Sequence, residues 1–204
     1  MTRASHTRVS RTRAPLTGES VLDAALTLFA ERGYHGTALS EIAAALDVRT
    51  PSLYNHMRSK HDLLRTLVEA TVTGVLDDFH AAVDGRTDPL DRLYRATLVY
   101  ARRHAVHRRE AIVVNRDTGS LDEPHRTAMQ ELRRAHEHGL REIIADGVRA
   151  GRFSVDSPAL ASFAIREMCV SISRWFRDDG AVGPDQVARE YTEFALTIVG
   201  VGRV

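Results

Sequence analysis

An all-α fold in two parts is predicted by three observations. Apolar residues recur with a helical period and strand-like alternation is scarce. The starts of the segments are marked by a cap residue or proline, as at Ser59, Asp88-Pro89, Ser157-Pro158 and Gly183-Pro184. The length of 204 residues suits a small helical unit joined to a larger one, about nine helices in all.

The first helix is expected over 18–32, with Thr17 as N-cap and Gly33 as stop; Val21, Leu22, Ala25, Leu28 and Phe29 give it one apolar face. Short helices follow over 39–46 and 51–57, the second capped by Thr50 with Pro51 at its first position. The fourth starts after Ser59, which has capping-box spacing to Asp62, and ends before Gly85. A fifth runs to about His104, a shorter one covers 107–116, and a long one covers 123–150, ended by Gly151. The last two cover 157–179 and 184–199.

Composition removes several classes. One cysteine, Cys169, excludes an internal disulfide framework and a multi-cysteine zinc site. No apolar run reaches the length of a membrane span, and the basic N-terminus lacks a signal peptide's apolar core, so a cytoplasmic protein is expected. No Gly-rich phosphate loop, nucleophile elbow or metal-ligand set occurs, so no enzyme activity, cofactor or metal is expected. The net charge of +1 hides an asymmetry: residues 1–60 carry 8 basic and 5 acidic groups, residues 61–204 a net −2. Residues 1–15 are expected to form a flexible basic arm, either a DNA contact or a solvated tail. The only lysine is Lys60.

Residues 37–63 read as two short helices joined by a tight turn. Ile42, Ala43, Leu46, Val48, Leu53 and Met57 would fix the second helix from behind, leaving small polar groups outward, as a major-groove reader requires. The order Gly33-Tyr34, Thr37, Ile42-Ala43, Val48, Leu53-Tyr54-x-His56, Ser59-Lys60 and Leu63-Leu64 resembles the DNA-binding region of TetR-family transcriptional regulators. Asp47 departs from the family's usual glycine in the turn, but Asp tolerates the left-handed conformation.

The resemblance implies a helix-turn-helix domain over 16–62 and a ligand-binding and dimerisation domain over 63–204. It implies phosphate contacts from Thr37, Tyr54, His56 and Lys60, base-edge contacts from Thr50, Pro51, Ser52 and Asn55, and either role for Arg49. It further implies a double-stranded operator, release by a small-molecule effector, and no membrane partner. The alternative is a DNA-binding or architectural protein without small-molecule control.

The last two helices carry apolar faces too broad for a small monomer and are expected to pair with a second copy. Ile143-Ile144-x-x-Gly147-x-x-x-Gly151-x-Phe153 with Trp175-Phe176 resembles the C-terminal domains of TetR-type regulators of lipid and acyl-CoA catabolism. Asn115, Arg116, His125, Arg166 and Trp175 are the candidate ligand contacts there.

Overall fold

The computed structural model describes residues 15–202, and the basic arm of residues 1–14 lies outside that range. Among the described residues the regular elements are helical: α1 (Gly18–Arg32), α2 (Leu39–Ala45), α3 (Thr50–Leu53), α4 (Lys60–Val83), α5 (Pro89–Val106), α6 (Arg108–Asp117), α7 (Glu123–Arg149), α8 (Pro158–Trp175) and α9 (Pro184–Ile198), with a 3-10 turn at Thr118–Ser120.

Local chemistry sets most of these bounds. Thr17 and Ser20 satisfy each other's backbone N–H at the start of α1. Ser59 accepts from the Asp62 N–H at the start of α4, while the Asp62 carboxylate accepts from the Arg58 N–H. The box is therefore displaced by one residue from the reciprocal form. Two expectations need correction. α3 is one turn long rather than two, with Arg49 as N-cap, and the chain continues through His56 in bonded turns. α8 stops at Trp175 because Phe176 turns to extended backbone and sinks into the core.

Two apolar cores share α4. The first joins Val21, Phe29, Ile42, Leu53 and Met57 to Leu64 and Val68 of α4, and to Val113 and Val114 of α6. The second joins Phe79 of α4 to Leu93, Ile143, Ile144, Ile165 and Val199. A division at residue 62 thus falls in the first turn of a helix that serves both units. α5 is the hub of the larger unit and touches α4, α6, α7, α8 and α9. Gly147 lets Phe153 fold back on α7: a Cβ there would fall inside the Phe153 ring's van der Waals surface.

Candidate DNA-reading surface and effector cavity

The turn between α2 and α3 takes its shape from Asp47, whose φ of 53° is left-handed. Val48 closes the turn by donating its N–H to Ala43 O at 2.9 Å. Leu53 and Met57 are buried behind, so α3 is held rigidly. Arg49, Pro51, Tyr54, Asn55 and His56 are exposed on its outer side, and Thr50 and Ser52 are half-buried. Tyr54, at 54% exposure, is a large ring left uncovered by this chain. Arg58 is also exposed and was not among the candidates. Its position one residue before the Ser59 cap was the available signal.

Thr37 does not belong to this surface. It is 1% exposed, and its hydroxyl donates to Leu28 O and Gly33 O at 3.2 and 2.9 Å. Its N–H is taken by Tyr34 O. The residue closes the end of α1, leaving nothing to offer a phosphate. Lys60 has a first task other than the expected one: Nζ donates to Tyr34 O and Thr37 O, both at 2.8 Å, and sits 4.3 Å from the Tyr34 ring centroid. Two of its three donor hydrogens pin the α1–α2 turn to α4.

A cavity of about 50 Å³ lies between α4, α5, α6 and α7. Thr71, Val72, Val75, Ala111 and Val114 line it, together with Tyr100, Arg103, His104, His107, Asn115 and Arg133. Tyr100, Arg103 and His104 of α5 and its C-cap His107 lie along one side, at spacings of three and four residues. The spacing of this polar stripe is visible in the sequence. His104 is buried and its Nδ1 pairs with Tyr100 O at 2.9 Å. Burial pushes its pKa down to about 4. Burial does the same to His136, whose ring lies 4.5 Å from that of Tyr100 and 5.1 Å from that of Phe79. The Tyr100 phenol and the Cys169 thiol are both pushed up, mainly by burial.

The candidate ligand residues separate on inspection. Asn115 lines the cavity, its Oδ1 accepting from Arg133 at 3.2 Å. Arg166 lies on α8 outside the lining, paired with Glu167 at 2.7 Å and 5.3 Å from the Phe163 ring centroid. Arg116 is turned the other way, donating to Phe29 O and Ala30 O at the end of α1 and pairing with Asp117. His125 is held on the surface by Asp122 at 2.6 Å, with Glu69 at 3.8 Å. Trp175 is exposed, stacked on Tyr191, and donates Nε1–H to its hydroxyl at 3.2 Å. These last three are therefore not cavity residues: local acids and carbonyls claim Arg116 and His125, and Trp175 faces outward.

The outer sides of α8 and α9 remain apolar. Leu160 (71% exposed), Phe163, Trp175, Phe194 and Ile198 lie there, while Ile165, Ile172, Val187 and Ala195 are consumed inside the chain. Among the described residues, no helix is long and apolar enough to cross a membrane.

Known proteins carry the same arrangement. A family model described as bacterial regulatory proteins of the tetR family matches residues 21–67, and one described as a tetracyclin repressor-like C-terminal domain matches residues 86–199. The HTH-type transcriptional repressor KstR2 of Rhodococcus jostii is 30% identical over 185 residues, covering 86% of this chain and 87% of that one. A solved tetR-family regulatory protein from Rhodococcus RHA1 superposes with a TM-score of 0.83 at 30% identity, over 93% of this chain and all of that one. The structure of AibR in complex with isovaleryl coenzyme A and operator DNA shares the fold, with a TM-score of 0.76 at 22% identity, over 87% of this chain and 96% of that one.

Proposed function

The chain belongs to the tetR family of bacterial regulatory proteins, and from that premise we propose that it is a cytoplasmic repressor released from a palindromic operator by a small molecule. The observation that carries this reading is α6. Its His107 cap and residues Ala111, Val114 and Asn115 border the cavity, while at its end Arg116 grips α1 and Asp117 the turn after it. One short helix thus spans both sites. A ligand that favours a different setting of α6 would shift the population of recognition-helix spacings.

Arg49, Thr50, Pro51, Ser52, Tyr54, Asn55 and His56 read the operator in this proposal. Tyr54 and His56 serve the backbone, and Thr50, Pro51, Ser52 and Asn55 the base edges. Two copies pair through the exposed faces of α8 and α9, placing the two α3 helices on successive major grooves. The effector is a small amphipathic metabolite, with acyl-coenzyme A-like thioesters among the candidates, as AibR is solved with one. The alternative, DNA binding without small-molecule control, draws on the cavity's small size, well below the roughly 300 Å³ of common ligand sites.

Selection of bound DNA from a random pool tests the proposal. A palindromic consensus is expected, followed by its release in a metabolite screen. A pool that yields no palindrome overturns the operator reading, and a complex that no metabolite releases favours the alternative.

A further inference from the structure

A ligand in the α4–α7 cavity is part of the function proposed above, and its chemistry rests on that reading. The cavity wall is lopsided in charge. It includes Arg103 and Arg133 and not one aspartate or glutamate. His104, held neutral by burial, adds no charge. Arg133 is met only by the neutral Asn115 amide.

Arg103 stands as a partition. It lines the cavity on one side and a surface groove shared with Asp78 on the other. Its Nη1 meets Asp78 Oδ2 at 2.5 Å, and Asp78 is half-exposed. Its Nε is buried and has no hydrogen-bond partner. The guanidinium fits there because position 74 is glycine: a Cβ would come within 2.5 Å of Nη2. One donor of the guanidinium is therefore covered and unpaired among the described residues, beside a cavity whose lining holds no acid, and the side chain must turn to present it.

We propose that the effector carries a carboxylate, and that this carboxylate takes Arg103 from Asp78. A guanidinium fork matches a carboxylate in two parallel bonds. An anion inside the cavity is less screened than a half-exposed aspartate, so it competes well for the same cation. Arg133 adds a second positive charge, and Val72, Val75, Ala111 and Val114 receive the chain. A cavity of about 50 Å³ holds about four waters, the room of an acid of about three carbons, so a five-carbon acid must widen it on binding. The exchange has a structural consequence. Asp78 lies on α4, and Lys60 at the other end of that helix pins the α1–α2 turn. Removing the Asp78–Arg103 tie takes away a polar contact between α4 and α5, while Phe79 and Leu93 still pack in the shared core.

Isothermal titration of the full chain with sodium pentanoate, pentanol and pentanoyl-coenzyme A tests this. Pentanoate is expected to bind and pentanol to bind at least roughly 10-fold more weakly. Asp78→Asn, which removes the competitor, is expected to tighten pentanoate and leave pentanol unchanged. Arg103→Gln is expected to weaken pentanoate roughly 10- to 100-fold. Should Arg103→Gln fail to give a native circular-dichroism melt, the Asp78→Asn comparison still decides. Equal binding of acid and alcohol, or an Asp78→Asn variant with unchanged pentanoate affinity, overturns the proposal. Binding of the thioester alone overturns the carboxylate and leaves small-molecule control standing. Absence of binding by all three also overturns it, while the operator-release screen judges that control separately.

Discussion

The carboxylate of Asp117, at the end of α6, accepts the backbone N–H of Tyr34 at 3.3 Å. The two residues lie 83 positions apart, and Asp117 is almost fully buried. A group from α6 of the larger unit thus completes the hydrogen bonding of the turn between α1 and α2. Arg116 beside it neutralises the charge and holds two carbonyls of α1. Asp117→Ala leaves the Tyr34 N–H and the Arg116 guanidinium short of a partner. A loss of about 1–3 kcal/mol in urea unfolding is expected, together with a weaker effect of ligand on operator affinity. An unchanged midpoint with full ligand response would show the contact to be idle.

The exposed side of α3 and the turn after it are proposed to divide into backbone and base contacts. Asn55→Ala is expected to relax preference at one position in each half-site, worth about 1–3 kcal/mol for a good bidentate contact. Tyr54→Phe is expected to weaken all sequences alike, because a lost phosphate contact carries no sequence information. Binding profiles across a randomised operator separate the two outcomes.

The dimer face is tested by charge. Phe163→Glu places a carboxylate where an apolar ring, 52% exposed in the single chain, is proposed to meet its copy. Sedimentation is expected to show a monomer at micromolar concentration with the chain still helical, and operator affinity falls with the loss of the paired half-site. A Phe163→Glu chain that sediments as a dimer would exclude this face as the interface.

The buried histidines predict an acid-sensitive fold. His104 and His136 both have folded pKa values of about 4, against an ordinary 6.5. The unfolded chain therefore binds more protons between those limits, so stability rises with pH through that window and falls as pH drops from 6.5 toward 4. The cost at the lower end is of order 3 kcal/mol for each histidine. Urea midpoints measured every half unit from pH 7.5 to 4.5 are expected to fall from about pH 6.5. His136→Phe, which fits beside Phe79 and Tyr100, is expected to flatten that slope. A midpoint that stays level down to pH 4.5 would assign any acid lability to carboxylates instead.

Gly147→Ala is expected to destabilise by about 1–3 kcal/mol, because the new methyl meets the Phe153 ring. Pairing it with Phe153→Leu is expected to recover part of the loss, a coupling that thermal melts of the two single variants and the double variant measure.

The helices were legible because their signals are local: caps, prolines and one-sided apolar spacing place α1 and α4 to the residue or nearly so. The exposed face of α3 was legible for the same reason, since Asp47, Val48 and Leu53 act on neighbours within the turn. The cavity was not. Its lining comes from four helices, and nothing in the sequence near Arg116 announces that its side chain turns toward Phe29, 87 positions away. Thr37 misled for a related reason. A threonine can cap a helix end or meet a phosphate with the same hydroxyl, and only burial decides between them. Arg103 lay between His104 and the ordinary surface arginine Arg102, and its role depends on Gly74, 29 positions earlier.

The single lysine has a chemical consequence. Apart from the terminal amine, Lys60 Nζ is the one site where an amine-directed acylating dye can react. It is spent on the carbonyls of Tyr34 and Thr37 while the α1–α2 turn is docked. Its acylation rate is therefore a clock for that turn's opening, readable by mass spectrometry on the unmutated protein. Ligand and operator would each speed or slow that clock according to which state of the DNA-reading unit they favour.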